Sequence, residues 1–125
     1  MRILLIGAKG LLGQALVDVF AAEDLVAVDR DDIDITDPVA LQKFCREVKP
    51  EIIINTAAYN TVDEIEKSAE AAKTAFSVNA EAVGYLAEVS LEHKALLIHF
   101  STDYVFDGAK GSPYIEDDSP NPLSV

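Results

Sequence analysis

The stretch that most constrains the fold of this chain is an apolar run followed directly by three evenly spaced glycines. Residues 3–6 read Ile-Leu-Leu-Ile, and Gly7, Gly10 and Gly13 come next. Apolar residues then recur at helical spacing as far as Phe20. A continuous apolar run is typical of a strand that is buried on both faces of a parallel sheet. The stretch therefore predicts a buried strand, a tight glycine turn and a helix.

The glycines suit a turn that receives phosphate groups. The first amides of a helix lack intrahelical partners and the helix dipole is positive at that end, so a pyrophosphate is stabilised there. Gly7 can adopt backbone angles closed to other residues, Gly10 lets a phosphate approach the chain, and Gly13 lets helix and strand pack closely. The spacing differs from the Gly-x-Gly-x-x-Gly fingerprint of dinucleotide-binding turns, so glycines that serve packing alone are the alternative.

An acidic residue follows the second predicted strand. Residues 25–28 form a short apolar run that stops at Asp29, near the roughly 20-residue offset at which an acid meets the ribose hydroxyl of adenosine. Arg30 comes next, and an arginine beside that acid can receive a 2′-phosphate, so both NAD and NADP stay open. The alternative is that Asp29 only begins the acidic loop 29–32.

Capping signals and periodicity predict the remaining elements. Asp37 before Pro38 starts a helix that ends near Val48, with Cys45 packed on its apolar face. The other elements predicted are a strand at 51–55, a long helix at 68–93 and a strand at 95–100. Together they predict an α/β fold with a doubly wound parallel sheet of at least four strands. The first strand is expected beside the second, with the fourth flanking at the crossover point.

Small or polar residues near the third and fourth strands are candidates for the edge where open α/β sheets bind ligands. Ala57 and Ala58 let a ligand lie against the backbone, or serve packing alone. Thr102 has a hydroxyl that can donate to a carbonyl oxygen as negative charge develops. His99 is predicted to be a core histidine with satisfied hydrogen bonds. Asn79, in the long helix, is open between a capped kink, a buried hydrogen-bonding residue and a ligand contact.

Composition excludes several classes of partner. The net charge of −12 argues against nucleic-acid and anionic membrane surfaces. Cys45 is the only cysteine and no apolar stretch is long enough to span a bilayer, so a soluble cytoplasmic protein is expected. The acidic run is predicted to be a solvated helix face rather than a metal site, and it comprises Asp63, Glu64, Glu66 and Glu70.

Four blocks of the sequence carry a family resemblance. They are residues 7–13 (GAKGLLG), 34–37 (DITD), 55–59 (NTAAY) with 62–63 (VD), and 101–108 (STDYVFDG), to which 121–124 add NPLS. Together they resemble the dTDP-4-dehydrorhamnose reductases among the extended short-chain dehydrogenase/reductases. Lys9 stands where a Thr is common, and Asn60 and Ile65 differ from the usual Thr and Ala. The resemblance implies a Rossmann-type, NAD(P)-binding sheet.

The resemblance also implies an activity and roles for single residues. Enzymes of this family reduce the 4-keto group of dTDP-4-dehydro-6-deoxy-L-mannose to dTDP-L-rhamnose with NADH or NADPH. The implied cofactor contacts are Gly7, Gly10, Leu11, Leu12 and Gly13 at the pyrophosphate, Asp29 and Arg30 at the adenosine ribose, Asp34 and Ile35 at the adenine, Ala57, Ala58 and Tyr59 toward the nicotinamide ribose, and Asn79 in support. Thr102 is implied as the catalytic hydroxyl, with Asp103 and Tyr104 beside the sugar nucleotide.

One family motif is not found in the sequence. In this family a Tyr-x-x-x-Lys motif follows Asn-Pro-Leu-Ser-Val, and its tyrosine protonates the carbonyl oxygen. Residues 1–125 contain no such motif, so they are expected to form the dinucleotide-binding part of a longer enzyme, inactive alone and prone to self-association at an unpaired sheet edge. A homodimer is a further expectation. The alternatives are a nucleotide-sugar epimerase or dehydratase, and a non-catalytic NADP-binding regulatory subunit.

Overall fold

The first strand lies inside the sheet because its side chains are apolar on both faces. In the computed structural model, which describes residues 1–123, β1 (Arg2–Ile6) directs Ile3 and Leu5 to one face and Leu4 and Ile6 to the other. All four side chains are buried. The sheet has four parallel strands in the order β2-β1-β3-β4, where β2 is Asp24–Val28, β3 is Ile52–Asn55 and β4 is Leu96–His99. The predicted doubly wound α/β fold is confirmed.

Helices cover both faces of the sheet. Helix α1 (Leu11–Val19) packs on one face, where Leu16 and Val17 contact the cluster formed by Ile3 and Leu5. Helices α2 (Pro38–Val48) and α5 (Ala82–His93) cover the other face. The core there includes Leu41, Cys45, Ile53, Leu86 and Val89. Burial raises the pKa of the Cys45 thiol to about 11, so this side chain is neutral and packs as predicted.

The order of the strands corrects one prediction. Strand β1 pairs with β2 as predicted, but its other neighbour at the crossover is β3, and β4 pairs only with β3 among the described strands. The local sequence does not determine this order, because both β3 and β4 are apolar runs and strand order is set by pairing between distant segments. Burial follows from the order: Ile53 and Ile54 of β3 are buried on the two faces, whereas Leu96 and Ile98 of β4 are exposed.

Helix α2 begins and ends where the sequence predicts. The Asp37 carboxylate accepts hydrogen bonds from the amides of Val39 and Ala40, and Pro38 opens the first turn. Lys49 ends the helix in the left-handed conformation, at φ 53°. Helix α5 ends in the same conformation at Lys94.

The helix predicted at 68–93 is interrupted in its middle. Helix α4 (Ala69–Phe76) passes into five residues, Ser77–Glu81, that form a wider π-helical turn before α5 begins. Such single wide turns inside helices occur often at functional sites. A short helix, α3 (Val62–Ile65), precedes them and is not predicted from the sequence.

The acidic side chains within residues 63–70 lie on the surface of the protein. Asp63, Glu64, Glu66 and Glu70 are all exposed, as predicted for a solvated face.

Within residues 1–123, no three His, Cys, Asp or Glu side chains are grouped in a way that could hold a metal ion. No helix in the same range combines the length and the apolar character needed to cross a bilayer.

We expect Gly13→Ala to lower the free energy of unfolding by about 2–3 kcal/mol, measured by urea denaturation. A Cβ at this position would lie 2.1 Å from the Gly7 carbonyl oxygen and 2.8 Å from Ala8 Cα. Gly84→Ala is the matched control, because a Cβ there meets nothing within 4 Å. It should stabilise α5 by about 0.5–1 kcal/mol. Equal effects of the two substitutions would contradict the close packing of α1 on the glycine turn.

Candidate functional site

A cleft of about 740 Å³ opens at the carboxyl ends of the strands on both sides of β1. Loops diverge at this edge because β2 and β3 lie on opposite sides of β1, which is where doubly wound sheets bind ligands. The volume is within the range of roughly 300–1,000 Å³ typical of small-molecule sites. The predicted cofactor residues that line it are Gly7, Gly10, Asp29, Arg30, Asp34, Ile35, Ala57, Ala58 and Tyr59.

Gly7 adopts the left-handed backbone conformation that its place in the glycine turn predicts. Gly7 has φ +85°, and a Cβ there would lie 2.7 Å from the Ala57 backbone nitrogen. The amides of Gly7 and Ala8 donate to the Val28 carbonyl over 3.0 and 3.1 Å, so the turn is anchored on the end of β2. The need for glycine at position 7 is confirmed. The approach of a phosphate at Gly10 stays a prediction.

The start of α1 is left without a side-chain cap. Gly10 is its N-cap residue, no side chain within residues 1–123 accepts a hydrogen bond from the first amides, and the first turn has no acidic residue. By contrast, Asp37 caps α2 and Ser68 caps α4. Leu11 and Leu12 have exposed side chains and do not line the cleft, so their backbone amides are what they can offer to an anion.

Two carboxylates tie the loop after β2 to the glycine turn. Asp29 accepts the Lys9 amide on Oδ2 and the Arg30 amide on Oδ1, each over 2.9 Å. Asp31 Oδ2 lies 2.6 Å from Lys9 Nζ, and this hydrogen-bonded ion pair raises the pKa of Lys9 and lowers that of Asp31. Each Asp29 oxygen keeps a second lone pair for a ribose hydroxyl, and that contact stays a prediction. The roles of Lys9 and Asp31 are not predicted from the sequence.

The loop that continues from β2 forms the side of the cleft assigned to adenine. Asp34 accepts the amide and the hydroxyl of Thr36 on Oδ1, over 2.9 and 2.7 Å, which closes a short turn. Ile35 is buried beside it, and both residues line the cleft. Their adenine contacts stay a prediction.

The loop after β3 is held by two side chains whose roles are not predicted from the sequence. The Thr56 hydroxyl lies 2.9 Å from the Ile6 carbonyl oxygen and 3.1 Å from that of Gly7. Asn55 is fully buried, and its Oδ1 accepts the Ala57 amide over 3.1 Å. These bonds place the Ala57 backbone against Gly7, and Ala57 and Ala58 both line the cleft.

The environment of His99 differs from the prediction. His99 has the predicted hydrogen-bond partner, since Asn55 Nδ2 lies 3.2 Å from its Nδ1. The side chain is exposed, however, and does not lie in the core. The reason is that β4 is an edge strand among the described residues, so its side chains are less covered than those of β3.

The side-chain amide of Asn79 makes two hydrogen bonds to the backbone of Tyr59. Its Oδ1 accepts the Tyr59 amide over 2.8 Å, and its Nδ2 donates to the Tyr59 carbonyl over 2.9 Å. Asn79 lies in the wide turn of Ser77–Glu81 and is exposed, which excludes the buried alternative. It does not line the cleft, so the contact described here acts through Tyr59, which does.

The residues assigned to catalysis and substrate follow β4 and lie outside the cleft lining. Thr102 caps a short 3₁₀ turn, Asp103–Val105, by accepting the Tyr104 amide over 3.2 Å, and its hydroxyl lies 3.4 Å from Asp103 Oδ1. Thr102, Asp103 and Tyr104 are all exposed. The structure therefore presents at this strand end an exposed hydroxyl that is hydrogen-bonded within its own turn, and the three roles stay predictions.

A carboxylate organises the chain that follows. Asp107 accepts the Ala109 amide over 2.8 Å, the Asn121 side chain over 2.8 Å and the Tyr114 hydroxyl over 2.7 Å. These bonds, that of Ala109 above all, lower the pKa of Asp107 to about 2. The Tyr114 ring stacks on Phe106 with centroids 4.1 Å apart, so the segment next to Thr102 is folded. Ser124 of the NPLS block lies outside the described residues.

We expect Asn55→Ala to lower the free energy of unfolding by roughly 1–3 kcal/mol, because the part-buried Ala57 amide loses its acceptor. Urea denaturation measures the change. Asn60→Ala is the control, since this residue is exposed, so a change below about 0.5 kcal/mol is expected. Similar losses at both positions would show that Asn55 does not hold the loop.

Comparisons with known proteins agree with the family resemblance and with the fold. The family model described as "RmlD substrate binding domain" matches residues 1–125. The dTDP-4-dehydrorhamnose reductase of Burkholderia thailandensis is 42% identical over an alignment of 126 positions, which covers 100% of this chain and 41% of that protein. The reductase of that name from Clostridium acetobutylicum superposes with a TM-score of 0.92 at 37% identity, covering 99% of this chain and 44% of its own.

A further solved structure is a dTDP-4-dehydrorhamnose reductase from Bacillus anthracis in complex with NADP. It superposes with a TM-score of 0.90 at 34% identity, covering 98% of this chain and 44% of its own. The chain spans about two-fifths of the length of the curated relatives that it matches. The sequence match over the whole chain, together with the superposition of the sheet and its helices, shows that the chain belongs to the RmlD substrate binding domain family.

Proposed function

We propose that residues 1–125 bind NADH or NADPH in the cleft and serve the reduction of the 4-keto group of a dTDP-linked 6-deoxy sugar. The observation that carries the proposal is the uncapped start of α1 at the edge of a cleft of about 740 Å³. The names of the relatives support the reaction, since several are dTDP-4-dehydrorhamnose reductases. The NADP complex of the Bacillus anthracis reductase supports the class of cofactor.

The residues present fit such a cofactor. A diphosphate needs several amide donors and little steric bulk, and the start of α1 offers amides next to Gly7 and Gly10. Asp29 lies on the cleft with acceptor capacity for a ribose hydroxyl, and Ala57 and Ala58 leave room on the opposite side. The described lining has two cationic side chains, Lys9 and Arg30, and three carboxylates. Because these charges do not favour an anion, the fit to a diphosphate rests on backbone dipoles more than on charged side chains.

The chemistry divides between the cofactor and the chain. When bound, the reduced nicotinamide supplies a hydride to the carbonyl carbon of the sugar. Thr102, at the carboxyl end of β4, would donate a hydrogen bond to the carbonyl oxygen as it gains negative charge. A proton must also reach that oxygen, and general acid catalysis is typically worth about 10²–10⁴-fold in rate. Residues 1–125 contain no Tyr-x-x-x-Lys sequence, so we propose that they bind the cofactor without turnover by themselves.

Gly10→Asp tests the location of the diphosphate. Aspartate is a good N-cap residue, so the variant should keep its free energy of unfolding within about 0.5 kcal/mol while its carboxylate occupies and repels the anion position. We expect the Kd for NADPH and for NADH to rise at least about tenfold, equivalent to about 1.4 kcal/mol. Titration followed by nicotinamide fluorescence measures it.

Gly10→Asn is the matched control, because it has the same shape without the charge. It should weaken binding less than Gly10→Asp does. Wild-type affinity in the aspartate variant would place the diphosphate elsewhere. No saturable binding of either nucleotide to the wild-type protein would overturn the cofactor role itself.

A second measurement concerns turnover. We expect the polypeptide of residues 1–125, supplied with NADPH and dTDP-4-dehydro-6-deoxy-L-mannose, to consume no reduced cofactor above the uncatalysed rate. The reductase of Burkholderia thailandensis under the same conditions is the positive control. Stoichiometric consumption of NADPH by residues 1–125 would show that a group within them supplies the proton, and would contradict the proposed division of labour.

A further inference from the structure

We infer that Asp31 sets the balance between NADPH and NADH by holding the ammonium group of Lys9, for which a 2′-phosphate must compete. The inference rests on the proposed cofactor role of the cleft and adds a residue that decides between the two cofactors. It concerns the end of the cleft where Asp29 meets the glycine turn.

Few charged side chains line the cleft, so the preference for NADPH or NADH depends on few residues. Its cationic side chains are those of Lys9 and Arg30, and its carboxylates are those of Asp29, Asp31 and Asp34. A 2′-phosphate adds a charge of about −1.5 to −2 at neutral pH, whereas a 2′-hydroxyl adds none. Affinity for NADPH therefore depends more strongly on the availability of the two cations than affinity for NADH does.

Lys9 is fixed at its backbone and engaged at its tip. Its amide donates to Asp29 over 2.9 Å, and its carbonyl accepts the Gln14 side chain over 2.7 Å. Its ammonium group lies 2.6 Å from Asp31 Oδ2, and the two side chains are 65% and 69% exposed. The backbone thus holds Lys9 at the cleft, while the exposed side chain is free to exchange one anion for another.

This arrangement lowers the affinity for NADPH selectively. To contact Lys9, a 2′-phosphate must displace the Asp31 carboxylate from the ammonium group, and the free energy of that ion pair is then lost. Because an exposed ion pair is weak, the effect is a moderate shift in preference rather than an absolute choice. Added salt should reduce it, since both side chains are in solvent.

The test is a double-mutant cycle on the ratio of the Kd for NADH to the Kd for NADPH, in the wild type, Asp31→Asn, Lys9→Gln and the double variant. The chain has no tryptophan, so nicotinamide fluorescence reports binding without a tryptophan background. We expect Asp31→Asn to raise the ratio about three- to fivefold at low ionic strength, and Lys9→Gln to lower it. In the Lys9→Gln background, Asp31→Asn should change the ratio less than twofold.

Asp24→Asn is the matched control. It removes a carboxylate from another exposed ion pair, 2.8 Å from Arg2 Nε at the opposite end of β2, and should leave the ratio unchanged. If Asp31→Asn leaves the ratio unchanged while NADH still binds, the inference is wrong and the cofactor role stands. An equal shift with and without Lys9 also overturns it, because repulsion by Asp31 alone would then suffice. Absence of binding of both nucleotides to the wild type overturns the cofactor role and the inference with it.

Discussion

The close approach of three chain segments at Gly7 is the constraint on which the rest of the structure depends. The Gly7 amide donates to the end of β2, the Thr56 hydroxyl lies within hydrogen-bond distance of the Gly7 carbonyl, and the Ala57 amide occupies the space of a Cβ. A side chain at position 7 would push β3 away from β1 and turn the start of α1. The cleft, the orientation of the helix dipole and the packing of Gly13 all follow from this contact.

The parts of the fold that can be predicted from the sequence are those encoded locally. Continuous apolar runs indicate the strands, and Asp37, Pro38 and Lys49 mark both ends of α2, because each acts on its own neighbours. The predicted position of β4 is wrong, since strand order depends on pairing between distant segments. The wide turn at Ser77–Glu81 is not predicted either, and the bonds between Asn79 and Tyr59 across the fold accompany it.

The features of the site also divide into those that the local sequence encodes and those that depend on contacts between distant segments. The glycine spacing and the strand ends predict Gly7, Gly10, Asp29, Arg30, Ala57 and Ala58 of the cleft lining, because a doubly wound sheet brings the carboxyl ends of its strands together. The family resemblance, and not the pattern, implies Asp34, Ile35 and Tyr59. The ion pair between Lys9 and Asp31 is not predicted, because it joins residues 22 positions apart and the glycine spacing says nothing about the side chain of Lys9. The role of Asn55 is likewise not predicted from the sequence. Its side chain supports the loop after β3 by accepting a hydrogen bond from a backbone amide rather than by touching a ligand.

A chain with a net charge of −12 can still bind an anionic cofactor, because binding depends on the field within the cleft and not on the sum over the surface. At an ionic strength of 0.1 M, exposed charges are screened beyond about 10 Å. The uncapped amides of α1 act inside that distance, and so do Lys9 and Arg30. The acidic run of α3 and α4 is not part of the cleft lining, whereas Asp31 is. One carboxylate in contact with Lys9 therefore affects cofactor choice more than the many outside the lining.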